Sequence, residues 1–313
     1  MAAARSVLVI VVTYNAERWL DTCLGSLRAV TYPLTVAVVD NASTDGTVEL
    51  IRQNYGDVVD ELFPLAENLG FGKAHNHVAD RMDLAAYDYL FLLNQDAAVE
   101  PATIGQLVAV AEDRADAAVV SPQHYYAPDQ FDHMYQRYIT NLRLGSEATE
   151  HGRVTEVSFV NAALWLMRTS VVRALGFFDP IFDHYGEDTN YVNRVRAAGY
   201  RVLVAEAARG YHYRPQKKHT LNQPGAQANA VYISSLCHLL HPEKNFPKGV
   251  AGYTLNFAKL FGKSLLKGDV TAARSVGHKF GRFLRVLPAV TDSRRRYREI
   301  VAASPKPNER STP

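Results

Sequence analysis

GFFDPIFDHYGEDTNYVNRVRAAGYRV, residues 176–202, carries a loop, a helix and the start of a strand in one run. Tyr191, Val192 and Val195 recur at helical spacing directly after the acidic pair Glu187 and Asp188. Gly199 stands where a helix ends in a left-handed residue, and 200–204 reads as a strand. A carboxylate in a first helical turn sits at a fixed point near the positive end of the helix dipole. That position suits a general base, and it equally suits an N-cap.

The units before this run repeat the alternation. Residues 7–12 are a buried apolar strand, 17–27 an amphipathic helix, and 35–39 a second strand. The loop 40–46 then offers N-caps to a helix through Val48, Leu50 and Ile51. A short strand is expected at 61–64, a helix at 72–82, a strand at 87–93, a helix at 101–113 and a strand beginning at Val119. Such alternation predicts an α/β fold, a mostly parallel sheet flanked by helices. Ligands on these sheets bind beyond the carboxyl ends of the strands. The loops to watch are therefore Thr13-Tyr14-Asn15, 40–46 and Asn94-Gln95-Asp96. Residues 129–153 read as an irregular insertion or a hairpin.

The 313 residues, 47% hydrophobic and 21% charged, suit one large domain or a domain with an appendage. Cys23 and Cys237 match no metal or redox spacing. Cys23 shares an apolar stripe with Leu20, Leu24 and Leu27, so a buried reduced thiol is expected. The N-terminal apolar run is too short for a membrane span, and no secretory signal is evident, so the expected location is cytoplasmic. The net charge of +2 hides an asymmetry: residues 244–300 carry thirteen Lys/Arg against three Asp/Glu.

Asp96 ends a strand, and an oxygen ligand there suits Mg²⁺ or Mn²⁺ held with a substrate diphosphate; a turn-forming Asp is the plain alternative. Asp40, Asn41, Ser43 and Asp45 make a dense polar loop able to read a base and ribose. The glycine-rich 68–76 leads into a helix but contains neither GxGxxG nor a P-loop. His212 follows another strand end and reads as a ligand or as a satisfied structural residue, with Arg214, Lys217 and Lys218 placed to face phosphate oxygens.

Five strings occur in a fixed order: VVTYNAERWLDTCLGSL, VVDNASTDGT, ENLGFGKAHN, LLNQDAAVEP and the segment from FVNAALWLMR through GFFDP to GED. Together they resemble glycosyltransferase family 2, with its GT-A nucleotide-sugar-binding fold, over residues 6–214. The LNQD and FVNAALWLMR version is most similar to the bacterial rhamnosyltransferase-type branch, which builds surface polysaccharides. The resemblance implies that Thr13, Tyr14, Asn15 and Asp40 hold the nucleobase and ribose, while Asn68, Gly70 and Asn76 shape the nucleotide pocket. It makes Asp96 the principal ligand of Mg²⁺ or Mn²⁺, with His212 and Asn94 beside it. Asn94 departs from the family's Asp-x-Asp. Asp188 becomes the general base with Glu187 next to it, and Asn161 and Trp165 line the acceptor side. The implied partners are a dTDP- or UDP-sugar donor and a glycan or lipid-linked glycan acceptor, and the implied reaction inverts the anomeric centre.

Two rivals stay open. A nucleotidyltransferase would need an N-terminal phosphate loop, which TYNAERW does not supply; a catalytically degenerate GT-A scaffold draws support from Asn94. The expected domains are 1–220 catalytic, 221–302 a basic helical extension and 303–313 a disordered tail. In the extension, Phe257, Leu260, Phe261 and Leu265 form an apolar stripe beside Lys259, Lys263 and Lys267. Val276, Phe280, Phe283, Leu284 and Leu287 repeat it beside Arg274, Lys279, Arg282 and Arg285. Basic amphipathic helices lie on anionic membranes or pack on their own domain, and contact with the membrane's inner face through 250–300 is the expectation. No nucleic-acid module is visible.

Overall fold

The computed structural model describes residues 4–214 and 226–304. Expectations resting on Lys217, Lys218 and residues 305–313 lie outside the described residues. The strands are β1 Val7–Thr13, β2 Thr35–Asp40, β3 Glu61–Pro64, β4 Tyr89–Asn94, β5 Ala97–Val99, β6 Ala117–Ala127, β7 Gln130–Phe131, β8 Arg143–Thr149, β9 Gly152–Val157, β10 Leu164–Arg168 and β11 Arg201–His212. The helices are α1 Leu20–Arg28, α2 Thr47–Asn54, α3 Phe71–Ala79, α4 Thr103–Asp113, α5 His133–Asn141, α6 Thr169–Leu175, α7 Glu187–Ala197, α8 Ala226–Leu239, α9 Phe246–Leu266 and α10 Val270–Ala303.

The strands join in the order β3-β2-β1-β4-β10-β6-β11-β9-β8, with β5 paired to β11 and β7 to β6. The α/β plan with helices on both faces is the expected one. Its parallel character is confined to β3-β2-β1-β4 and to the β6-β11 pair. Antiparallel β10 separates these blocks, so the sheet is mixed. β1, VLVIVVT, is apolar on both faces because both are covered. Val7, Val9 and Val11 pack with Leu24 of α1 and Ile104 of α4. Leu8 and Ile10 pack with Val78 of α3, Val171 of α6 and Tyr191 of α7. Cys23 is buried and free. The segment 129–153 folds as β7, α5 and a β8-β9 hairpin. Gly199 ends α7 with φ of +85°, and Tyr200 N–H reaches back to Val195 O at 3.1 Å.

A third core joins α8, α9 and α10 around Tyr232, Leu236, Phe257, Val276 and Phe283. Buried Arg194 of α7 donates to the carbonyls of Leu175, Gly176 and Phe177. Its guanidinium lies 4.6 Å from the Tyr297 ring of α10. Tyr297 hydroxyl in turn donates to Asp179. The last helix is thus bound to the loop that leads into α7. Among the described residues, no helix is long and apolar enough to cross a membrane.

Candidate active site

The C-terminal ends of β1 and β2 are stitched together. Thr13 hydroxyl donates to Asp40 Oδ1 at 2.8 Å, and Ser43 N–H and Oγ donate to the same carboxylate at 2.8 and 2.5 Å. Asp40 and Thr13 are both buried, so they organise the loop from beneath. Asn15, with φ of +48°, accepts from Thr44 N–H at 2.9 Å, while its own N–H donates to Ser43 Oγ. Asn41, which sequence reasoning assigned only to a polar loop, links this edge to the glycine-rich segment. Its amide donates to Gly70 O and accepts from Leu69 N–H.

Tyr14, Asn68 and Gly70 line one cleft of about 560 Å³ together with Lys73, Asp183 and His184. Asn68 Oδ1 accepts from Gly70 N–H at 2.9 Å, and Gly70 has φ of +78°. A Cβ at Gly70 would stand 2.1 Å from Asp183 O, so only glycine lets these two loops touch. Lys73 closes the contact with a 2.9 Å ion pair to Asp183. Asn76 departs from its expected place at the nucleotide: its amide is spent on Phe178, donating to O at 2.8 Å and accepting from N–H at 3.1 Å. It braces the 176–179 loop because both of its polar atoms are already satisfied there.

Gln95 grips Tyr14 from below, accepting from its N–H at 2.7 Å and donating to its O at 3.2 Å. The next residue, Asp96, places Oδ1 3.4 Å from His212 Nε2, because β5 pairs with the end of β11. Burial opposes the charge on Asp96, but the His212 hydrogen bond and the Arg214 charge outweigh it and hold the carboxyl below its ordinary range. Two cis ligands of an octahedral divalent ion, each at about 2.1 Å, stand about 3 Å apart. Asp96 and His212 fit that requirement as a pair. Asn94 ends β4 beside Val12 and gives its N–H to Ala163 O at 3.0 Å. Among the described residues, the one cluster of three potential ligands is Asp113, Glu150 and His151, largely exposed and away from these loops.

At the start of α7, Gly186 has φ of +98°, and a Cβ there would meet Phe182, Ile233 and Cys237 at 2.8 to 3.0 Å. This constraint aims Glu187 and Asp188. Glu187 is buried, its Oε2 has no partner among the described residues, and its carboxyl is pushed up to about 7 by burial and by the neighbouring Asp188 charge. Asp188 is half-buried and accepts from Thr189 N–H at 2.6 Å. Burial raises its pKa, and donors including Ala162 N–H counter part of that rise. The Asn161 side chain, adjacent to that donor, keeps Oδ1 buried and without a partner among the described residues. Trp165 corrects the expectation of an acceptor-side wall: β10 lies in mid-sheet, so this side chain is fully buried against Tyr191.

The sequence matches the profile of glycosyl transferase family 2 over residues 8–176. It is 26% identical over 255 residues to an N-acetylglucosaminyl-diphospho-decaprenol L-rhamnosyltransferase of Mycobacterium tuberculosis, covering 72% of this chain and 81% of that one. Among solved structures, S. aureus TarS 1–349 in complex with UDP matches with a TM-score of 0.56 and 17% identity, over 78% of this chain and 68% of that one. The mannosyltransferase PcManGT of Pyrobaculum calidifontis, in complex with GDP-Man and Mn²⁺, matches with a TM-score of 0.56 and 19% identity, over 96% and 87%. These two likenesses are likenesses of fold.

Proposed function

The chain belongs to glycosyltransferase family 2, and from that premise we propose that it is an inverting transferase. It moves a sugar, L-rhamnose in the first instance, from a dTDP- or UDP-sugar to a hydroxyl of a glycan or lipid-linked glycan in cell-surface polysaccharide synthesis. The rhamnosyl assignment draws on the mycobacterial relative. The observation that carries the reading is the presence of two acidic sites in unlike states. One is Asp96, held below its ordinary range beside His212, and the other is the adjacent carboxyl pair Glu187 and Asp188, both pushed upward by burial.

Tyr14, Asn68 and Gly70 receive the nucleotide, with Thr13, Asn15 and Asp40 fixing the loop they stand on. Asp96 and His212, with Asn94 nearby, would hold Mg²⁺ or Mn²⁺, and such an ion when bound neutralises the leaving diphosphate. Asp188 takes the proton of the acceptor hydroxyl as that oxygen attacks the anomeric carbon from the face opposite the diphosphate. One displacement inverts the centre. Glu187, raised by burial and by the Asp188 charge, titrates near neutrality and so limits the negative charge gathered beside Asp188. Asn161 orients the acceptor from the segment that also donates Ala162 N–H to the base.

Thermal shift of the purified protein with dTDP, UDP and GDP, each with and without Mg²⁺ or Mn²⁺, tests the donor site. Metal-dependent stabilisation by one nucleotide is expected. No stabilisation by any nucleotide would move the assignment to the degenerate scaffold.

We also propose contact with an anionic membrane at its inner face. The turn joining α9 and α10 exposes Leu265, Leu266 and Val270, with Leu266 92% exposed, beside Lys263 and Lys267. Co-sedimentation with phosphatidylglycerol vesicles should fall when Leu265 and Leu266 become serine. Equal failure of both forms to sediment would remove this contact.

A further inference from the structure

A second hollow, of about 250 Å³, lies between the 181–185 loop, α8 and α10. Asp183 and His184 line both this groove and the donor cleft, so the two cavities share a wall. The groove also ends at Tyr185, three residues before Asp188. Resting on the transferase reading above, we propose that this groove is the subsite for the phosphate or diphosphate ester of the acceptor, holding the charged end while the sugar hydroxyl sits at Asp188.

The charges support an anion. Lys279 and Arg282, one turn apart on α10, both lie over the Tyr232 ring, at 5.4 and 5.1 Å from its centroid. Like charges at this spacing on a helix repel. Burial and the Arg282 charge hold the Lys279 amine below its ordinary range. Arg282 has a counter-ion in Asp183, but Lys73 shares that carboxylate. Lys279 makes no ion pair among the described residues, and Asp183 acts on it only at longer range. Three cations therefore meet one carboxylate at the rim of a half-enclosed groove. A dianionic ester relieves that imbalance with charge-assisted hydrogen bonds.

The remaining walls select the kind of anion. Ile181, Phe182, Ile233 and Leu236 give the groove an apolar side next to its cationic one. A free sugar or an inorganic anion uses only one of these surfaces. A diphosphate ester of a hydrocarbon chain uses both.

The experiment is calorimetric titration of the full chain with farnesyl diphosphate and with inorganic pyrophosphate, in Mg²⁺, without and with excess UDP. UDP with its metal fills the donor cleft. Farnesyl diphosphate should bind, pyrophosphate should bind more weakly, and Lys279→Gln should weaken the farnesyl ester about tenfold, as loss of one charge-assisted contact predicts. Lys279→Arg should restore binding. Unchanged affinity in Lys279→Gln would overturn the proposal. So would displacement of farnesyl diphosphate by UDP, which would assign it to the donor cleft. Phosphatidylglycerol vesicles separate the two sources of phosphate: if Lys279→Gln lowers vesicle binding as much as ester binding, the groove reads bulk headgroups instead. UDP thermal shift in Lys279→Gln keeps the two readings distinguishable, because a failed transferase would lose it in wild type as well.

Discussion

The two acidic sites at this sheet edge are built from the same carboxyl chemistry and end in opposite states. Asp96 lies in a buried setting that would neutralise it, yet His212 and Arg214 keep it ionised. Glu187 and Asp188 lie in a similarly enclosed setting with no cation paired to them among the described residues, and both are pushed upward. The contrast teaches that burial alone does not fix a carboxylate's role; the neighbouring charge does. Held low, a carboxylate serves as a permanent anion. Raised, it becomes a base that can take a proton near neutral pH.

Three substitutions probe that contrast. Asp188→Asn should lower kcat by about 10² to 10⁴-fold and leave nucleotide-induced thermal shift intact. Retention of most turnover would assign the base elsewhere. Glu187→Gln should act on stability. The folded carboxyl is raised from 4.5 to about 7, so the native state binds a proton that the unfolded chain has already lost. Wild-type stability should therefore decline as pH rises from 4.5 to 7 and then level off. The glutamine variant lacks that decline, with a relative gain of at most about 3 kcal/mol at pH 8 over pH 4. Parallel melting curves for the two proteins across pH would contradict the raised value. Asp96→Asn should weaken the metal-dependent part of nucleotide stabilisation about tenfold. Mn²⁺ titration in the presence of nucleotide measures it, and an unchanged midpoint would detach Asp96 from the metal.

Local patterns made much of this legible. Strand ends at Thr13, Asp40 and Asn94 follow from apolar runs stopping at polar loops, and Gly199 marks the end of α7 because only a left-handed residue fits there. Asp96 and His212 were each readable as strand-end residues, and the structure brings them side by side. The clamps were not readable. Gln95 on Tyr14, Asn76 on Phe178 and Asn41 on Gly70 join residues 81, 102 and 29 apart, and no periodicity records such a bond. Trp165 misleads for a related reason: its neighbours in sequence approach the base, while the pleat turns its ring into the core. Lys73 and Asp183 belong to two of the segments that carry the family resemblance, but their pairing depends on two loops meeting at Gly70.

The Arg194–Tyr297–Asp179 junction has a consequence for how such chains diverge. Asp179 in the loop ahead of α7 and Tyr297 in α10 are 118 residues apart, yet the two stretches share one stacked guanidinium and one hydroxyl. An exchange of segments between relatives that carried the loop without its helix would strand Asp179 and leave Arg194 uncovered. The two stretches are therefore expected to be inherited together, as a single recombination unit.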